Sequence, residues 1–411
     1  MAANSLSSPK FDTLPEELLV EILQRLSQED VGQCECVCKH WFDLLSSPHF
    51  ARCYNRHRSL PPRFALFFQR TRTEDGPVPV NQRGVYLANE EEAHTDFNSP
   101  RFSFSFLPPF TNQARLLASS NGLVLCSTFN LTHEIYLVCN PYTMHWVALP
   151  PPPSCHDRVS IGFICNPDFD INGTTSLFKV VRIPQFKYKS EPYTSTLKLE
   201  IFSSETWEWA ESVISLPKFL FGSTSLCNDA FVCNGMLHWR YVNRDYVLAF
   251  DPCKQEANHE ARAIELPKGS CEGASIHLVG ESRGRLTYAE FHEETFRVWK
   301  FGEDQGSKQW RLVHDFHESE FVWEDPEIAI FTTSCLGLMH IVAFHPFEED
   351  YVFLVLPGHI IECNLRSKVL KSVFSVVSRS AELHYTVLPY VLPWWPVQIL
   401  KGNGNSLVTR Q

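Results

Sequence analysis

The chain has 411 residues, 44% of them hydrophobic, and a formal net charge of −11 at pH 7. That is enough apolar material to bury a sizeable core and to share it among two or three domains. The acidic balance, without a cluster of Lys and Arg, speaks against a nucleic-acid-binding surface, and no apolar run reaches the roughly 20 residues that a membrane-spanning helix needs. The start, "MAANSLSSPKFDTLPEELL", lacks a basic region followed by an apolar stretch, so we expect no secretion and a place in the cytoplasm or nucleus. The triplets at Asn130 and Asn172 then count as coincidences of a short glycosylation motif, and the 14 scattered cysteines as buried free thiols.

In chain order, the first element is helical. Leu14, Leu18, Ile22 and Leu26 repeat at helical spacing, and Leu19 and Leu23 widen the stripe. Thr13 stands three residues before Glu16 in a capping-box pattern, and Pro15 occupies an early position where its missing N–H costs nothing. A second helix is expected from the cap-like Ser27-x-x-Asp30. A third carries Val37, Trp41, Leu44 and Leu45 and stops at Ser46-Ser47-Pro48. Three short helices in about 40 residues make a small module that cannot enclose all of its apolar side chains alone.

The stretch "CECVCKHW", residues 34–41, raises the question of a metal. On a helix, residues two apart point about 200° away from each other, so Cys34, Cys36 and Cys38 cannot converge on one tetrahedral ion. The run also lacks the C-x₂-C knuckle and a second pair nearby. We expect small thiols packed between helices and no metal.

"LPEELLVEILQRLSQEDVGQCECVCKHWFDLLSSPHFAR" resembles an F-box. The likeness rests on Leu14, Pro15, Glu17, Leu18, Ile22, Leu23, Leu26, Val37, Cys38, Lys39, Trp41, Leu45, Ser47, Pro48 and Phe50, in order. The resemblance implies docking onto a Skp-type adaptor, which joins the chain to a cullin and a RING subunit. The adaptor-binding residues it implies are Leu14, Pro15, Leu18, Ile22, Leu26, Val37 and Trp41, a helix-in-groove contact that a partner completes.

After "RSLPP" the texture changes to short runs rich in Val, Ile, Phe, Tyr and Trp, bounded by Gly, Pro, Asn and Asp, which predicts an all-β region. A turn glycine followed by an apolar strand recurs at Gly122, Gly235, Gly284 and Gly337, about 50 residues apart once the first gap is taken as two units. Second elements follow, such as "YLVCNPYTMHWVALP" and "IIECNLRSKVLKSV". Units of this length with about four strands are expected to be β-propeller blades. The units begin near Phe64, Leu116, Ile161, Asp229, Ile276 and Ile328, giving about six blades, with seven also compatible. The tail "LHYTVLPYVLPWWPVQIL" should close the ring against the first. "NPDFDINGTTS" and "PQFKYKSEPYT" read as loops. Through "ASSNGLVLCS", "VCNPYTMHWVALPPPP" and "NGMLHW" the region resembles the kelch-like F-box-associated domain of plant F-box proteins, with a lone glycine where true kelch repeats have two. The expected architecture is a three-helix F-box over 10–58, a β-propeller over 59–400 and a tail over 401–411.

No phosphate-cradling loop, G-x-S-x-G elbow or H-E-x-x-H is present, and Gly402-Asn403-Gly404 lacks a third glycine. His314-Asp315-Phe316-His317-Glu318 reads as a solvated loop, the acidic runs at Glu90–Glu92 and Glu348–Asp350 as loop surface, and His238, Trp239 and Tyr241 as core and rim. The expectation is a non-catalytic receptor without cofactor that holds an unidentified protein target on its propeller. The resemblance implies that this target is ubiquitinated and degraded. The alternatives are a non-degradative scaffold or transcriptional co-regulator, a propeller enzyme, and a carbohydrate-binding receptor.

Overall fold

The computed structural model of the chain describes residues 14–26, 28–57, 63–70, 83–87, 104–108, 114–129, 134–156, 158–166, 177–185, 195–220, 226–227, 230–242, 245–254, 261–267, 276–304, 307–326, 328–329, 339–356, 359–375, 385–392 and 399. The caps expected at Thr13 and Ser27, the triplets at Asn130 and Asn172, the run at Glu90–Glu92, the turn at Gly337, most of the two loop stretches and the 401–411 tail lie outside the described residues.

Four helices open the chain: α1 (Glu16–Leu23), α2 (Gln28–Cys34), α3 (Lys39–Leu45) and α4 (Pro48–His57). The expected three become four because Pro48 starts a helix as well as ending one. Its missing N–H falls at the first helical position, and the Ser47 hydroxyl accepts the Phe50 amide at 3.2 Å as an N-cap. α1 also begins later than expected. Pro15 itself is the N-cap, with its carbonyl accepting the Leu18 and Leu19 amides at 3.0 and 3.1 Å. Leu19, Val20, Leu23, Val31, Leu44, Leu45, Phe50 and Tyr54 form the core of this module, and the Tyr54 hydroxyl donates to the Leu26 carbonyl at 3.1 Å.

The strands come in blade-sized groups. First are β1 (Arg63–Arg70) and β2 (Arg83–Leu87). The next group is β3 (Arg115–Ser120), β4 (Leu123–Phe129), β5 (Glu134–Asn140) and β6 (His145–Ala148). It is followed by β7 (Val159–Asn166), β8 (Leu177–Pro184), β9 (Thr196–Ser203) and β10 (Glu208–Ser215). After these come β11 (Phe231–Cys233), β12 (Met236–Arg240), β13 (Tyr246–Phe250) and β14 (Arg262–Glu265). The fifth group is β15 (Ile276–Ser282), β16 (Arg285–His292), β17 (Thr295–Asp304) and β18 (Ser307–His317). The last is β19 (Val322–Trp323), β20 (His340–Phe344), β21 (Tyr351–Leu356), β22 (His359–Asn364), β23 (Val369–Ser375) and β24 (Tyr385–Leu392).

These strands build six sheets among the described residues. The four middle groups are antiparallel four-stranded blades. The sixth has the order β19-β23-β22-β21-β20, and the first has the order β2-β1-β24. The tail strand thus completes the first blade, pairing Arg63 with Leu392 through to Arg70 with Tyr385. Neighbouring inner strands touch in the sequence β24, β3, β7, β11, β15, β20 and back to β24, which closes a ring. Five of the six unit starts read from the sequence fall within two residues of the first strand of a blade. The sixth blade differs, because its inner strand β20 begins at His340 rather than near Ile328.

The lone glycines have a conformational reason. Asn121-Gly122, Asn234-Gly235 and Arg283-Gly284 each place two consecutive residues at positive φ (46° and 78°, 50° and 72°, 49° and 73°) in the hairpins between first and second strands. That is the geometry of a mirror-image two-residue turn, in which Asn-Gly suffices. Apolar clusters fill the seams between blades. One seam also holds a charge: the buried Arg182 of β8 pairs with Glu200 of β9, and its Nε donates to the Tyr136 hydroxyl of β5 at 3.2 Å.

Candidate functional site

α1 carries apolar residues on two faces, because its sequence holds Leu18, Leu19, Val20, Ile22 and Leu23 within a turn and a half. A helix can turn only one stripe inward. Leu19, Val20 and Leu23 go to the core, and Leu18 and Ile22, one turn apart, are left 50% and 46% exposed. On the flank, Glu21 pairs with Arg25 at 2.5 Å, which holds the Glu21 carboxyl below its ordinary range.

The other implied docking residues divide the same way. Pro15 is exposed, and Val37 is 64% exposed in the turn between α2 and α3 rather than inside the third helix. Leu14, Leu26 and Trp41 are half-buried and pack against the module's own core. Four of the seven therefore face solvent, and three serve the interior at least in part. Phe42, 51% exposed, joins the solvent-facing set and is not among the residues that the resemblance implies. Its signal was available: α3 holds Trp41, Phe42, Leu44 and Leu45 in five residues, more than one inward stripe accepts.

The cysteine run is corrected in part. Residues 35–37 form a turn, Cys34 packs against the helical core, and Cys36 and Cys38 are exposed rather than packed between helices. Burial raises the Cys34 thiol, which keeps it protonated. No described cysteine forms a disulfide.

On the propeller, the His314–His317 run is not a loop but the end of β18. His314 faces Asp350 at 3.5 Å, Asp315 faces Arg297 at 3.4 Å, and His317 faces Glu294 at 3.2 Å, so the histidines serve different carboxylates. Glu348–Asp350 does lie in a loop, but two of its three charges are engaged: Glu349 with Lys300 at 2.5 Å and Asp350 with Arg366 at 2.8 Å. His238, Trp239 and Tyr241 are all buried, without a rim position. His238 stacks on Phe231 with ring centroids 5.2 Å apart, and burial lowers its pKa to about 4. Among the described residues, no three His, Cys, Asp or Glu side chains gather as metal ligands. A cavity of about 1200 Å³ lies between the fourth and fifth blades.

Comparison with known proteins agrees with this division. Residues 11–57 match the F-box-like family, and residues 93–387 match the family described as F-box protein At3g26010-like, beta-propeller. F-box protein At5g49610 of Arabidopsis thaliana is 26% identical over 92% of this chain and 95% of its own length. F-box protein At3g26010 of the same plant is 25% identical over 86% and 78%. Among solved structures, TolB from Acinetobacter baumannii matches with a TM-score of 0.39 and 10% identity, covering 80% of this chain and 66% of that one, a likeness too distant to bear on function. A helical module matched as an F-box and a ring matched over most of its length place the chain in the F-box proteins of the At3g26010-like β-propeller family.

Proposed function

We propose that the chain is the substrate-recognition subunit of an SCF ubiquitin ligase. In this reading the F-box holds a Skp-type adaptor and, through it, cullin and RING subunits. The propeller holds a protein target, which is ubiquitinated and sent to the proteasome. The observation that carries it is the set of large apolar side chains, Leu18, Ile22, Val37 and Phe42, about half exposed or more on a module whose core closes without them. Covering them is worth roughly 1 kcal/mol or more each, from about 25 cal/mol per Å² of apolar surface. That is a driving force for a partner, and the F-box match supports the reading that this partner is the adaptor.

The mechanism is proximity. Holding a target lysine beside a ubiquitin-charged conjugating enzyme raises its effective concentration, so this chain contributes binding surfaces and geometry while the bond is made by other subunits. Quantitative proteomics on cells with and without the chain tests the degradative part, in the cytoplasm or nucleus where we place it. Targets should accumulate when the chain is lost, and proteasome inhibition should erase the difference. Target levels indifferent to both treatments would leave the non-degradative scaffold.

A further inference from the structure

The seam between the fourth and fifth blades is thin. Its cluster among the described residues has only Val247, Leu266, Val279 and Tyr288 fully buried, whereas the next seam carries a much larger cluster along β16–β18 and β20–β23. Outward of that thin core the blades part into the 1200 Å³ cavity. β14 forms one wall and the β17–β18 hairpin the other. Phe219, Met236, Leu286, Phe301 and Trp310 supply apolar lining, and Phe219 is 54% exposed.

The β14 wall offers backbone as well as surface. β14 is the outer strand of its sheet. The Leu266 amide donates to the Asp245 carbonyl at 2.8 Å, so by antiparallel alternation residues 262 and 264 turn their amides and carbonyls towards β13. Ala263 and Glu265 turn theirs to the cavity. The Glu265 carbonyl already accepts the Trp310 indole N–H at 2.7 Å from across the cleft. Among the described residues, no strand lies beside Ala263 on that side.

The far side of the same hairpin gathers four cations, Arg285, Lys300, Arg311 and Arg366, beside the carboxylates Glu303, Glu349 and Asp350. A second cavity of about 380 Å³ shares Arg285, Phe301, Gly302, Glu303 and Gln309 with the first, so the two adjoin at the hairpin. Lys300 is held by Glu349 and Arg366 by Asp350. Arg311, however, stands directly across the strand pair from Lys300, a like-charge placement that weakens a sheet unless an anion answers it. Arg311 and Arg285 both line this cavity and are exposed, with no carboxylate at ion-pair distance among the described residues, although the Arg285 charge helps to hold the Glu349 carboxyl below its ordinary range.

We propose that this cleft is the target-binding groove. It takes an extended segment of the partner protein, adding to the β14 edge through Ala263, with a large aromatic or aliphatic side chain in the apolar cavity and an acidic residue close by in sequence on Arg285 and Arg311. Strand addition supplies register and alternate side chains supply specificity. The cavity is also larger than the 300–1,000 Å³ or so typical of small-molecule sites, which favours a chain segment. The inference rests on the receptor reading and adds to it the class of ligand and its place.

Panning the full chain against a random-peptide phage library, then titrating the selected synthetic peptides by fluorescence anisotropy, tests it. Selected peptides should pair an aromatic or large aliphatic residue with an acidic one. Arg285→Glu should weaken them by about tenfold or more, as loss of a charge-assisted contact does. Phe219→Ala, at an exposed site, and Ala263→Pro, which removes the outward N–H, should weaken them too. Failure to select any peptide overturns the proposal, as do selected peptides indifferent to both Arg285→Glu and Phe219→Ala, or glycan-array binding that these variants abolish. Leu18→Asp/Ile22→Asp should keep peptide binding. A wild-type chain that binds the peptides but no adaptor strikes the F-box reading, and one that binds the adaptor but no peptide strikes the groove.

Discussion

His345 shows how a single residue ties fold to pH. Its Nδ1 accepts the Phe347 and Glu348 amides at 3.2 and 2.9 Å, the part that Asn140 and Asn364 play with Oδ1 in their own turns. The nitrogen that would be protonated is thus already an acceptor, and burial lowers the pKa to about 4, as it does for His238. In the unfolded chain both imidazoles titrate near 6.5. Between those values the unfolded state takes up protons that the folded state refuses, so stability is complete above about pH 6.5 and falls as the pH drops towards 4. His345→Asn keeps the turn and removes the titration. Urea unfolding at pH 7 and pH 5 should show wild type losing about 2 kcal/mol more than this variant over that interval, from about 1.4 kcal/mol per pH unit. Equal losses would mean that His345 is already charged in the folded state.

At the scale of elements, the sequence was most legible where one rule acted alone. The Asn-Gly turns at 121–122 and 234–235 stood out because two positive φ values leave few residue choices. Arg283 occupies the same position at φ 49° without that preference. Arg283→Asn is expected to raise stability by about 0.5–1 kcal/mol, since a left-handed residue other than Gly or Asn costs about 1–2 kcal/mol; an unchanged urea midpoint would show that its amide bond to the Pro346 carbonyl already fixes this turn. Legibility failed where two faces competed. The stripe Leu14, Leu18, Ile22 and Leu26, widened by Leu19 and Leu23, reads as one apolar face, yet the core takes Leu19, Val20 and Leu23 and leaves Leu18 and Ile22 outside. Nothing in helical spacing says which of two apolar stripes faces inward. The fourth helix was hidden by Pro48, which signals both a stop and a start. The His314–His317 stretch reads as a loop because its polarity reports solvent and ion pairs, while the strand itself is held by the pairing of β17 with β18.

At the scale of the whole molecule, closure is the decisive event. The tail was recognisable as the closing strand from its alternation, and in the structure β24 pairs with all eight residues of β1, while the Tyr390 hydroxyl donates to the Gly122 carbonyl of the next blade at 3.0 Å. Contacts between residues more than 300 positions apart thus complete the first blade, and β24 meets the next blade 268 positions away through Tyr390 and Gly122. Ending the chain before Tyr385 should remove the single cooperative unfolding transition and expose β1 as an edge; an unaltered transition would show that the ring holds without its closing strand. The propeller target was not legible, since blade periodicity specifies the frame and leaves the loops and grooves free. The central claim is that a complete helical core leaves Leu18, Ile22, Val37 and Phe42 for an adaptor. Titration calorimetry of the full chain with a purified Skp-type adaptor, wild type beside Leu18→Asp/Ile22→Asp, tests it most directly. The prediction is a one-to-one complex weakened by about a hundredfold or more, as when two charges are forced into an apolar contact, with unchanged thermal unfolding. A well-folded wild type that binds no adaptor, or a variant that binds it equally well, would contradict the account.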